Sequence, residues 1–119
     1  MARIVLVEDN PVLAELLSEA LEHAGHRVRT AGGGGEALKA LGVEPPGPCG
    51  ADLALIDVHL PDMGGVELAE RLKGGSGTAA LQVVFLTGDA EAQLPEGARW
   101  LRKPFGMDKV IELIRELGL

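Results

Sequence analysis

The stretch Leu55-Ile56-Asp57-Val58-His59-Leu60-Pro61 decides how the chain reads, because an apolar run passes directly into an acid and then a proline. A strand covered on both faces is built from apolar residues, and an unpaired ionised carboxylate among them is costly. Asp57 is therefore expected where the strand ends, at the carboxyl edge of a sheet. In open α/β sheets that edge is where ligands bind.

Upstream, Arg3-Ile4-Val5-Leu6-Val7 is a β-branched run without alternation, which predicts a second central strand, and it ends at the acids Glu8 and Asp9. Asn10-Pro11 then supplies a capping side chain and a proline for the first helical position. Val12, Leu13, Leu16, Leu17, Ala20, Leu21 and Ala24 repeat at helical spacing until Gly25. His26 to Thr30 alternates as an edge strand does. The glycines Gly32 to Gly35 lack the lysine and hydroxyl of a phosphate-binding loop and the spacing of a dinucleotide fingerprint. They read as a flexible turn before a short helix from Glu36 to Leu41, and the proline-rich segment Gly42 to Gly50 as a surface loop.

Downstream, the strand Asp52 to Asp57 is followed by the turn Pro61-Asp62-Met63-Gly64-Gly65 and a helix from Val66 to Lys73. Gln82 to Leu86 predicts a fourth strand closing on Thr87, and Ala98 to Arg102 a fifth closing on Lys103-Pro104. Met107 to Leu117 is the last helix, with Met107, Val110, Ile111, Ile114 and Leu117 on one face. Strands alternating with helices imply a parallel sheet, right-handed crossovers and helices on both faces.

A chain of 119 residues is read as one domain, residues 1–119, with a single compact core. The formal charge of -7 argues against a nucleic-acid surface, and no apolar run approaches the roughly 20 residues of a membrane helix. Met1 leads straight into a strand without a signal-peptide pattern, so the expectation is a cytoplasmic protein with no membrane and no direct nucleic-acid partner. The lone cysteine, Cys49, has no basic or histidine neighbour to activate it. His23, His26 and His59 lack metal-ligand spacing.

Parallel strands put their carboxyl ends together, so Glu8, Asp9, Asp57, Thr87 and Lys103 are expected to converge from remote positions. Three crowded carboxylates call for a proton or a bound cation, and all-oxygen ligation suits Mg2+, which bridges readily to phosphate. An ammonium and a hydroxyl can then hold phosphoryl oxygens, and phosphoryl transfer asks for little beyond such positioning. Asp57 is the expected nucleophile, forming an aspartyl phosphate.

Four segments together resemble the receiver domain of bacterial two-component response regulators over essentially the whole chain. They are Ile4-Val5-Leu6-Val7-Glu8-Asp9-Asn10-Pro11, Leu55 through Gly65, Leu86-Thr87-Gly88, and Leu101-Arg102-Lys103-Pro104-Phe105. The resemblance implies a flavodoxin-like, doubly wound, five-stranded parallel sheet of order 2-1-3-4-5 with five helices. It implies Asp57 as phosphoacceptor from a sensor histidine kinase, with Lys103 on the phosphoryl group. Asp9, Asp57 and the His59 backbone carbonyl are implied as Mg2+ ligands, with Glu8 acting through water. Thr87 becomes the switch hydroxyl and Trp100 the switch aromatic, in a position where tyrosine or phenylalanine is more usual. Such a domain catalyses only its own phosphorylation and dephosphorylation and passes its state to a downstream protein.

One departure stands out. Ten residues, Gly88 to Gly97, separate the last two strands, where a parallel crossover takes about a dozen or more. The fourth helix is therefore expected to be stunted, at most Asp89 to Leu94, and dimerisation through it is left open. Because Leu119 follows the last helix at once, the chain reads either as a stand-alone receiver or as one cut from a larger regulator or hybrid kinase. The competing readings are an aspartate-nucleophile phosphohydrolase, which would usually carry a second aspartate where His59 stands, and a pseudo-receiver that is never phosphorylated.

Overall fold

The computed structural model describes residues 1–75, 77–78, 80–88 and 93–119. The described elements are β1 (Arg3–Val7), α1 (Pro11–His23), β2 (Arg27–Ala31), α2 (Gly34–Ala40), β3 (Leu53–Asp57), α3 (Gly65–Lys73), β4 (Gln82–Thr87), β5 (Arg99–Arg102) and α4 (Met107–Glu116). All four strand pairings are parallel, in the order β2-β1-β3-β4-β5. This is the flavodoxin-like arrangement, with β2 and β5 at the edges. Four helices lie among the described residues. Of the stunted helix expected over Asp89 to Leu94, only Gln93 and Leu94 are described, in neither helix nor strand, and the remainder of that expectation lies outside the described residues.

The lack of alternation in β1 and β3 has its reason in two cores, one on each face of the sheet. Ile4, Leu6, Leu53, Leu55, Val84 and Leu86 pack against Leu17 and Leu21 of α1 and Val110 and Ile114 of α4. Val5, Val7, Ala54, Ile56 and Phe85 pack on the other side against Ala37 and Leu38 of α2 and Leu68 and Leu72 of α3. Fully burying each Leu, Ile, Val or Phe side chain among them contributes about 1.5–3 kcal/mol. Both faces of the central strands are therefore closed, and polar side chains have only the strand ends to occupy.

Local signals hold α1 where its sequence places it. The Asn10 side-chain oxygen accepts from the amides of Val12 and Leu13, at 3.0 and 3.3 Å, ahead of Pro11 at the first helical position. The start of α2 differs from expectation. The helix begins at Gly34 rather than Glu36, so half of the glycine run is helical and the run is no loose turn. The Gly32 amide donates to the Glu36 carboxylate at 2.8 Å, and the Gly34 and Gly35 amides donate to the Asp62 carboxylate at 2.8 and 2.9 Å. Glu36 of the helix itself and Asp62 of the β3–α3 turn satisfy amides that would otherwise be left open at that end.

Candidate functional site

Parallel alignment in register delivers the site. β1 ends at Val7 and hands Glu8 to the edge, where the Glu8 amide donates to the Ala31 carbonyl at 3.0 Å. β3 ends on Asp57 beside Leu86 of β4, and the Val58 amide donates to the Leu86 carbonyl at 3.1 Å. β4 closes on Thr87, whose carbonyl accepts the Lys103 amide at 2.8 Å, so the residue after β5 is drawn in against β4. Glu8, Asp57 and Thr87 are buried, at 3%, 6% and 1% exposure, while Asp9 faces solvent.

Carboxylate oxygens of Glu8, Asp9 and Asp57 lie within 4.8 Å of one another. The Lys103 ammonium reaches between two of these acids, with Nζ 2.6 Å from Glu8 Oε1 and 3.0 Å from Asp57 Oδ2. Backbone donors satisfy the other oxygens: the His59 amide donates to Asp57 Oδ1 at 2.9 Å, and the Asn10 amide donates to Glu8 Oε2 at 3.2 Å. Charge-assisted bonds of this kind are about twice as strong as neutral ones and hold both carboxylates in fixed orientations.

Electrostatics at the site do not balance. Burial foremost, and the neighbouring Asp57, raise the Glu8 carboxyl above its ordinary range, and the contact with Lys103 only partly offsets them. Burial pulls the Lys103 ammonium down, but Glu8 and Asp57 outweigh it and hold its pKa above the usual lysine value. The two directions describe one situation, in which a single ammonium faces more negative charge than it neutralises. Hard oxygen donors with an excess of negative charge, two buried and one open to solvent, suit a divalent cation such as Mg2+.

The structure thus brings Glu8, Asp9, Asp57 and Lys103 together and seats Thr87 at the same edge. His59 begins the loop that leaves Asp57, and an antiparallel bridge to Gly64 closes that loop. Trp100 stands apart, 46% exposed on edge strand β5. Sequence reasoning missed Asp62. Its partners lie 28 and 27 residues away, and the traces of the contact in the sequence are an acid after a proline and a glycine run that reads locally as a flexible turn.

A family model described as the response regulator receiver domain matches residues 4–115. The chain is 35% identical to the probable transcriptional regulatory protein TcrX of Mycobacterium tuberculosis, over 96% of this chain and 48% of that protein. It is 33% identical to the response regulator receiver protein CpdR of Brucella abortus, over 98% of this chain and 97% of the relative. The chain therefore spans about half the length of some curated relatives and nearly all of others. Among solved structures, the response regulator protein TrrA of Thermotoga maritima, in complex with Mg2+-BeF, matches with a TM-score of 0.82 at 28% identity, covering 98% of this chain and 99% of that one.

Proposed function

The chain belongs to the response regulator receiver domain family of two-component signal transduction, and from that premise we propose that Asp57 is the phosphoacceptor, taking a phosphoryl group from the phosphohistidine of a sensor kinase. The observation that carries this reading is Lys103, whose ammonium is already bonded to Asp57 while three carboxylates crowd beside it. An Asp57 carboxylate oxygen attacks phosphorus, the phosphorus–nitrogen bond of the donor breaks, and the donor imidazole leaves with the bonding electrons and takes up a proton. Lys103 holds the transferred oxygens as negative charge builds on them, and the Thr87 hydroxyl stands beside them as the switch contact.

Asp9, Asp57 and the His59 carbonyl would hold Mg2+ directly and Glu8 through water, where the ion supplies neutralisation of charge on the phosphoryl oxygens. The donor chemistry of the acid group fits that ion. Residues 1–119 make one such domain in this reading, acting in the cytoplasm with a kinase upstream and a protein target downstream, and catalysing nothing beyond its own phosphorylation and dephosphorylation. Among the described residues, no helix is long and apolar enough to cross a membrane.

The test is incubation with Mg2+ and acetyl phosphate. An acid-stable, base-labile mass increase that Asp57→Asn abolishes is the expected result. Multiple turnover of a phosphate ester would mark a hydrolase instead, and absence of any adduct would sink the phosphoacceptor reading.

A further inference from the structure

We propose that Asp62 is a positioning residue for the phosphoacceptor loop, tying the turn that carries His59 to the start of α2 through the Gly34 and Gly35 amides. This inference rests on the reading of Asp57 and His59 given above. The loop from Val58 to Gly65 has two sets of anchors. At its base the Gly65 amide donates to the Val58 carbonyl at 2.8 Å, His59 bridges to Gly64, and the His59 amide is held by Asp57 Oδ1. At its tip Asp62 spreads both carboxylate oxygens over two successive amides of another element, Oδ1 on Gly34 and Oδ2 on Gly35.

The glycine run is built around this contact. A Cβ on Gly33 would stand 2.7 Å from Asp62 Oδ1, and one on Gly34 would run into the Met63 side chain. A side chain at Gly33 would displace the Asp62 carboxylate, and one at Gly34 the Met63 side chain. The amides hold the Asp62 carboxyl below its ordinary range, so it is the charged form that they bind.

Asp62 is exposed and contributes little as packing. Its place in the chain matters more, because only Leu60 and Pro61 separate it from His59. Fixing the tip fixes the direction in which the backbone leaves His59, and with it the aim of the carbonyl assigned to the cation. Groups that bond a metal ligand commonly carry on the order of tenfold or more in metal affinity, and Asp62, which bonds α2 and acts on His59 through the backbone, belongs at the low end of that range.

Titration calorimetry of the whole chain with Mg2+ alone tests this, on the wild type, Asp62→Ala, Asp62→Asn, Gly35→Pro and the double variant Asp62→Ala/Gly35→Pro. Gly35→Pro removes one donor from the α2 side and puts a ring carbon where that amide faced Asp62 Oδ2, so it attacks the same contact from the other partner. The expected result is an Mg2+ Kd weakened by on the order of tenfold in Asp62→Ala, by less in Asp62→Asn, which keeps one acceptor, and by no more in the double variant than in Asp62→Ala. Acetyl phosphate labelling of Asp62→Ala should need more Mg2+ to reach half its maximal rate yet approach the wild-type rate at saturation. A purely structural role would lower Tm and leave the Mg2+ midpoint in place. If Asp62→Ala fails to fold, Asp62→Asn and Gly35→Pro are read by the same criterion. Folded variants with the wild-type Mg2+ Kd overturn the proposal, as do additive losses in the double variant. A wild type that binds Mg2+ but takes no label would instead defeat the phosphoacceptor reading, while the calorimetric comparison still decides the role of Asp62.

Discussion

Glu8 and Lys103 are bonded to each other, yet Glu8 still holds its proton more tightly than an ordinary glutamate, because burial and Asp57 together exceed what one ammonium returns. The sign follows directly: with the folded pKa raised, the stability tied to protonated Glu8 is present below the ordinary value of 4.5 and is lost as pH rises through the raised value. A cation at the site must displace that proton. Mg2+ affinity is therefore expected to climb as pH rises through the raised value, with proton release detectable by calorimetry in buffers of different ionisation enthalpy. The Lys103 ammonium is bonded to Glu8 Oε1 and Asp57 Oδ2, so a cation held by this acid group would compete with it for those carboxylates. Replacing it, Lys103→Met, is expected to tighten Mg2+ binding several-fold while sharply slowing phosphoryl uptake, and an unchanged Mg2+ Kd would show that the ammonium withdraws freely. Asp57, Glu8, Asp9, Thr87 and Lys103 were legible as a group in the sequence, because each lies at or just beyond the carboxyl end of a predicted strand. The bonds of Lys103 to Glu8 and Asp57 were not legible, since they depend on side-chain reach between strands remote in the chain.

At the scale of elements, the signals that hold are the local ones. Asn10 caps α1 through two amides, and Asn10→Ala is expected to cost about 1 kcal/mol in urea denaturation. The β3–α3 connection is tighter than its sequence suggests. A Cβ on Gly65 would run into the Asp57 carbonyl and stand 2.9 Å from Val58 Cα, so backbone itself must move to admit it. Gly65→Ala is expected to destabilise by about 1–3 kcal/mol and to weaken Mg2+ binding in the same titration, because the strain falls on the residues that carry Asp57 and His59. An alanine variant as stable as wild type would show that the turn yields. The glycine run shows why local reading stops short. Gly32 to Gly35 carry no outward preference of their own, and what converts Gly34 and Gly35 into the first residues of α2 is a carboxylate from the β3–α3 turn.

For the molecule as a whole, a cation held by the acid group would couple its binding to folding. Unfolding scatters Glu8, Asp9 and Asp57, so Mg2+ at about a hundred times its Kd should stabilise the chain by about 2.7 kcal/mol. Asp57→Asn should erase most of that gain in thermal denaturation with and without chelator, and an equal Mg2+ effect in the variant would place the ion elsewhere. The two cores make the central sheet the stiff frame for the site. Leu55→Ala in β3 should cost about 2–5 kcal/mol, measured by denaturation. By itself the sequence determined the alternation of strands and helices, the burial of both faces of β1 and β3, and the edge to which the polar residues go. Those follow from hydrophobic period and from the cost of burying charge, which act within a few residues. Strand order was carried by resemblance to a family and appears as such in the pairings β2-β1-β3-β4-β5. Only the tertiary structure decided that Lys103 spans Glu8 and Asp57, that Asp62 holds the start of α2, and that Trp100 lies on the surface. Those depend on distances between residues remote in the chain, which no local pattern encodes.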